Sequence, residues 1–370
     1  MALTCVLIFS EAIRACNWGY VKSGSVFLSI KMLFYRSSKR DKTRRLLVLV
    51  YVCMGFYGGL LPNTYAKEAP SQFQIHEFRL PATNFKTIHY PFWIEPEKLG
   101  FVTRRKTPQG SDGSLIIYDL QTRALQNLLN REVDYPAFLA KLNRISFVDN
   151  GKSGIATLFT MSRTGKDIVE HHFVDSAVFD PSWDPDNRRV VFTNLSYDAN
   201  LLIAEVKTGK VTSLGNLGRG TETEGVEGPD WSVNGTEIAY VGWDKSSRTK
   251  EDAYIPMVSR LYKFRLREHK YARLTPGRFQ DRYPAYSPDG KRIAFISNRS
   301  QKFELWLIDS DGQNMHKLTN MASLRYELQP EKPAWSPDGR TIIFTVTAAK
   351  QVRTEESQFE ETKLWVLEFR

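Results

Sequence analysis

Cysteine is nearly missing from this chain. Only Cys5, Cys16 and Cys53 occur among 370 residues, all near the amino terminus. From residue 54 onward there is no thiol, which excludes disulfides, thiolate metal sites and a cysteine nucleophile. Such usage suits an oxidising compartment, where free thiols are at risk. A Gly-x-Ser-x-Gly nucleophile elbow is also missing, which removes the hydrolase half of a prolyl-oligopeptidase architecture. No Walker or dinucleotide-type glycine loop is present to cradle phosphates. The six histidines are His76, His89, His171, His172, His269 and His316. Only the adjacent His171 and His172 are close in sequence, and on one strand they would point to opposite faces. The Asp-x-Asp-Gly at 309–312 lacks the remaining ligands of a calcium loop and reads as a hairpin turn. No cofactor, metal site or catalytic constellation is expected.

What the chain does have is a repeat. Six times a proline is followed two places later by an aromatic: Pro91/Trp93, Pro136/Phe138, Pro181/Trp183, Pro229/Trp231, Pro284/Tyr286 and Pro333/Trp335. The prolines are 45, 45, 48, 55 and 49 residues apart. A fixed period of this length means one supersecondary unit repeated. In the clearest copy, residues 283–319, a strand ends at Tyr286 and Ser287-Pro288-Asp289-Gly290 makes a turn. Strands follow at 292–297, at Leu305-Trp306-Leu307-Ile308 and at 315–318, with a turn at 309–312 between the last two. Four short antiparallel strands at this period are one blade of a propeller. The third copy has Asn187 where the others carry glycine, and asparagine tolerates the left-handed conformation. The fourth has WSVNG at 231–235 and the sixth WSPDG at 335–339. The first two keep only the proline-aromatic opening and apolar strands. The recurring aromatics read as packing between blades rather than as a sugar-stacking set.

The pattern Pro-x-aromatic-Ser-Pro-Asp-Gly-x-x-Ile-Ala-Phe resembles the repeat of the TolB-like propeller family, over roughly residues 72–370. The resemblance implies an all-β fold, a six-bladed propeller of four-stranded antiparallel blades. It leaves function open, since the repeat also occurs in propeller domains of peptidases, in oligogalacturonate lyases and in sensor domains. The amino-terminal α/β domain of TolB has no counterpart in the sequence. After Pro333 the chain supplies only three strands. Residues 73–80 are therefore expected to pair with 363–369 as the outer strand of the sixth blade and to close the ring, since an open edge is a liability.

The first 66 residues read differently. A basic run, 39–45, precedes the uncharged stretch 46–61, then Pro62-Asn63-Thr64-Tyr65-Ala66, with small residues at 64 and 66. This is the order of a secretory signal, with cleavage near Ala66. The alternative is an uncleaved anchor, although sixteen helical residues span only about 24 Å against a core of roughly 30 Å. Residues 1–31 read as a start-site artefact before Met32, 32–66 as the signal peptide and 67–370 as the propeller. The net charge of +10 misleads, because residues 1–66 hold nine basic and two acidic residues. The remainder is near +3 and carries no nucleic-acid footprint.

The expected function is protein or peptide binding in the cell envelope, by an exported, periplasmic, non-catalytic monomer without stable membrane insertion after cleavage. The alternatives are a polysaccharide lyase or hydrolase acting in the funnel, or the sensor domain of a membrane-anchored protein. Residues just before the blade-opening prolines should rim the funnel: Tyr90, Tyr135, Asp180, Gly228, Tyr283 and Lys332. Three long loops, 215–228, 243–259 and 347–362, should rise from one face and add Glu222, Glu224, Glu227, Glu355 and Glu356. The resemblance implies that partners engage at this funnel.

Overall fold

The computed structural model describes the backbone of residues 17–23, 26–33, 49–53, 67–68 and 73–370, apart from 82–84, 86, 108–109, 150–154, 174–176, 195–199, 216, 218–222, 245–257, 325, 330 and 349–360. The chain divides into two compact units, residues 1–65 and 66–370. In the first, Asn17–Ser23, Val26–Leu33 and Leu49–Cys53 form a three-stranded antiparallel sheet. Among the described residues no helix is long and apolar enough to cross a membrane.

The second unit is a six-bladed propeller, as the repeat predicts. Blade one runs through Thr87–Glu95, Lys98–Thr107, Gly110–Asp119 and Leu125–Leu129. Blades two to five open with Asp134–Leu139, Phe179–Trp183, Thr223–Trp231 and Asp281–Tyr286, and each adds three antiparallel strands in chain order. In blade five the outer strand is His316–Lys317, shorter than the expected 315–318. Lys67–Glu68 pairs with it in parallel, an addition the repeat did not foretell. The first two blades, whose turn signature had faded, still make the turn. In blade two Asn143 takes φ 52° where other blades use glycine, a conformation asparagine bears more cheaply than most residues.

Blade six is closed as expected. Phe73–Glu77 pairs antiparallel with Thr362–Phe369, Phe73 opposite Phe369 and Ile75 opposite Leu367. Its inner strand departs from the plan and is split into Tyr326–Leu328 and Ala334–Trp335, both paired to Thr341–Ala348. Pro333 stands at the end of the break, and proline has no N–H for a ladder.

The core is divided into six apolar clusters, one at each junction between neighbouring blades. The blade-opening aromatics belong to these junctions. The indole N–H groups of Trp93, Trp183 and Trp335 donate to Ala334 O, Ser146 Oγ and Ala285 O of the preceding blade at 3.3, 3.0 and 3.1 Å. Trp231 and Tyr286 are buried in the clusters they share with blades three and four. Repeated apolar faces thus bury one another, which no single blade could do alone.

Candidate functional site

Each inner strand of blades one to five carries the same irregularity. Two residues face one on the second strand, a β-bulge. In blade one Tyr90 and Pro91 oppose Phe101, and in blade five Tyr283 and Pro284 oppose Phe295. The first bulge residue is left-handed in every case: Tyr90 φ 49°, Tyr135 φ 50°, Asp180 φ 48°, Gly228 φ 54° and Tyr283 φ 54°. The second is the proline, which needs no ladder partner. The residue opposite is a buried aromatic each time: Phe101, Phe147, Phe192, Tyr240 and Phe295. Only glycine takes positive φ freely, so a tyrosine or aspartate there carries strain of order 1 kcal/mol or more. Lys332 precedes the sixth proline but sits in the interrupted strand, outside this bulge pattern.

These positions converge on the ring axis, around a cavity of about 400 Å³. Tyr90, Tyr135, Asp180, Gly228, Tyr283 and Lys332 all line it. The wall continues through Phe92, Phe138, Tyr286 and Trp335 to Val233, Pro288 and Pro337, which belong to the turns after the inner strands. The expected rim is therefore mid-channel, and the cavity extends from it toward the turn face. A second cavity of about 340 Å³ adjoins on that side, sharing Phe138, Asp230, Val233 and Lys332. A third, of about 240 Å³, lies between blades three and four and is lined by Tyr135, Asp180, Asn194, Glu227 and Trp243 among others. Among the expected loop acids, Glu227 thus lines the cavity between blades three and four. Glu224 falls on the strand Thr223–Trp231. Glu222, Glu355 and Glu356, with most of the long loops at 243–259 and 347–362, lie outside the described residues.

The channel is strongly desolvating. Burial pushes the phenols of Tyr90, Tyr135 and Tyr283 far above their ordinary value, so all three stay neutral donors. The Tyr90 and Tyr135 rings lie 5.2 Å apart. Burial also raises the Asp180 carboxyl. A 3.3 Å bond from the Gly228 N–H, attraction by Lys332 and a bond from the Tyr135 hydroxyl only partly offset this. Glu227 is raised by burial and then by repulsion from Asp180. Asp134 is raised by burial although Arg104 is bonded to it.

Some axial groups were missed from sequence. Asp230 accepts from Ser182 Oγ at 3.1 Å and from the Tyr286 N–H at 2.6 Å. It also receives the Lys332 ammonium, joining blades three to six. Glu331 takes the Tyr90 N–H at 2.9 Å, His89 Nδ1 at 2.5 Å and the Thr345 hydroxyl at 3.0 Å. A signal existed. Of the residues between each blade-opening proline and its aromatic, only Asp230 is charged. Of the six residues two places before those prolines, five are ionisable: His89, Asp134, Glu227, Arg282 and Glu331. Among the described residues no three His, Cys, Asp or Glu side chains are grouped to hold a metal ion.

The fold and the channel define a class, the six-bladed propeller with a side-chain-lined axial cavity. The family model described as the TolB beta propeller domain matches residues 142–368, more than half of the chain. The chain belongs to the TolB β-propeller family. Among solved structures it is similar to a TolB-type protein from Agrobacterium tumefaciens, at 17% identity and TM-score 0.54, over 80% of this chain and 98% of that one. TolB from Acinetobacter baumannii aligns at 17% identity and TM-score 0.44, over 72% and 68%. An oligogalacturonate lyase in complex with manganese aligns at 10% identity and TM-score 0.45, over 98% and 99%. No match was found among curated proteins.

Proposed function

We propose that this chain is an exported, non-catalytic propeller of the cell envelope that captures a protein or peptide partner in its axial channel, acting as a monomer. The observation that carries the reading is the axial cavity of about 400 Å³. It falls in the size range of pockets that enclose small ligands. That volume admits side chains of an extended segment but no folded domain. Its wall follows the usual composition of a recognition site, aromatic and proline surface with a few polar groups. The strained tyrosines support the same reading, since backbone strain tends to gather at functional sites. Membership of the TolB propeller family supports an envelope setting.

Export rests on the charge order of residues 39–66. The compact unit that holds the ring begins at Ala66, where cleavage is proposed, so cleavage there would leave the closing strand in place. Sequencing the amino terminus of protein from the native host tests this. A start at or near Lys67 supports export with cleavage. An intact 46–61 on membrane-bound protein would favour the anchored sensor.

The binding site is tested by placing a photo-crosslinking residue at Tyr283 and identifying what it captures in the intact envelope. Rigid aromatic anchors typically cost ~2 kcal/mol or more when truncated, so Tyr283→Ala should weaken partner capture by about thirtyfold and leave the fold intact. Asp311→Asn, in the exposed turn before the outer strand of blade five, should leave capture unchanged. The proposal fails if capture follows Asp311 and ignores Tyr283.

A further inference from the structure

Two carboxylates line the cavity between blades three and four without an ion-pair partner among the described residues. Asp180 lines both the axial cavity and the smaller cavity between blades three and four. No described cation forms an ion pair with it; Lys332, which attracts it, is bonded to Asp230. Glu227 lines the same smaller cavity from the next blade. It accepts a bond from the Trp243 side chain. Arg282 lies against the Trp243 ring at 4.8 Å and does not pair with Glu227. Asn194 lines this cavity too, and its Oδ1 is buried without a hydrogen-bond partner. Asp180, Glu227 and Asn194 all bring acceptors to this cavity, while Arg282, its Nε buried without a hydrogen-bond partner, attracts Glu227 without an ion pair.

Such a surplus is costly in a dry site. A buried carboxylate is expensive unless it is paired, and, in addition to burial, Glu227 is raised by repulsion from Asp180. A cation between them would relieve both effects at once. The surrounding rings suit the same visitor. Tyr135 lines both cavities and Tyr283 faces the axis within electrostatic reach of Glu227 and Asp180. Tyrosine faces attract ammonium and guanidinium groups, more strongly when desolvated.

We propose that the partner is anchored by a basic side chain, whose guanidinium or ammonium end sits between Asp180 and Glu227 against the rings of Tyr135 and Tyr283. This rests on the reading of the channel as the partner site and adds the chemistry that site selects. The amide oxygen of Asn194 supplies a further acceptor. A guanidinium fits best, since its planar fork serves several acceptors and stacks on aromatic faces.

Calorimetric titration of the full chain tests this with three probes: a blocked glycine peptide carrying one central arginine, the same peptide with citrulline, and free agmatine. Citrulline keeps the shape and removes the charge. The arginine peptide should bind at least about tenfold more tightly than the citrulline peptide, the worth of a charge-assisted hydrogen bond. Asp180→Asn and Glu227→Gln should each remove most of that advantage, and Asp311→Asn none of it. Equal binding of arginine and citrulline peptides to the unsubstituted protein overturns the inference, whether or not the variants fold. Undiminished preference in Asp180→Asn and Glu227→Gln overturns it as well. Agmatine binding as tightly as the peptide would make the occupant a free amine and overturn the assignment to a partner side chain. If the inference fails in any of these ways while Tyr283 still crosslinks a partner, the channel reading survives. Loss of both means the channel is not the site.

Discussion

Blade five and blade six solve the same packing problem in different ways. Blade five takes its four repeat strands from one continuous stretch and keeps every feature of the repeat: the bulge at Tyr283, the Ser-Pro-Asp-Gly turn and four strands in order. It is pinned from within. Asp281, fully buried, pairs with Arg299 at 2.5 Å and takes the Ser297 hydroxyl at 2.6 Å. Blade six draws its outer strand from residues 73–77 and its inner strand in two pieces. It is pinned from outside, through Glu331 to blade one and Lys332 to blade four. A repeat can be copied along a chain, but one blade must depart from it to close the ring. The same departure frees charged groups to reach across the axis.

The comparison can be broken most severely at the closure. Deleting residues 67–80 removes the pairing of Phe73–Glu77 and the packing of Phe73, Ile75, Phe78 and Leu80. With about 1.5–3 kcal/mol for each large apolar side chain fully buried, and less for these partly buried ones, the loss should still exceed about 4 kcal/mol. Calorimetry should record a melting temperature lower by about 10 °C or more. Unchanged stability would mean that the ring does not depend on this strand.

Within blade five, Asp281→Ala leaves Arg299 buried and uncompensated. Breaking a buried pair in this way typically costs about 3–5 kcal/mol. Denaturant titration should show it as a lower midpoint with an unchanged slope. Blade six should be more forgiving. Glu331→Ala strands the Tyr90 N–H and frees His89, at a cost of about 2 kcal/mol. If Glu331→Ala proves as damaging as Asp281→Ala, the external pins matter as much as the internal one.

The smallest effect has the opposite sign. Asp180 and Glu227 are raised in the folded state, so over the interval from the ordinary carboxylate value to the raised one the native protein holds more protons than the unfolded chain. Stability contributed by each group therefore falls as pH rises through that interval. The groups acting on this pair are Lys332, Arg282 and Asp134, together with Tyr135, Trp243 and the Gly228 N–H. Asp180→Asn should stabilise the ring by up to about 1 kcal/mol at neutral pH, with the gain shrinking in acid, where both forms are uncharged. A melting-temperature series from pH 4 to pH 8 measures this. A gain independent of pH would trace the effect to packing instead of charge.

The strands and turns were legible because they follow from short-range rules. The apolar run at 293–296 is buried on both faces, Pro288 and Gly290 fix a turn, and Asn187 at φ 54° substitutes for glycine as its chemistry allows. Even the closing strand was readable, from a blade one strand short and an unassigned segment at 73–80. The bulge was not. Nothing in Tyr-Pro or Asp-Pro by itself announces a left-handed residue, since the conformation is imposed by the ladder on either side and by the buried aromatic opposite. Glu331 and Asp230 were overlooked for a related reason: their partners lie in other blades, as far as 242 positions away in sequence.

The sequence by itself determined that this protein is a ring of six similar blades, because a period of 45–55 residues and short apolar runs set off by turn residues are properties of neighbouring residues along one chain. Only the tertiary structure decided that Asp180 and Glu227 would face one cavity, that Lys332 would be spent on Asp230, and that the tyrosines would stand inside the channel instead of at its lip. Those outcomes depend on the angle between blades and on side chains from separate blades competing for the same partners at the axis, which no local pattern encodes.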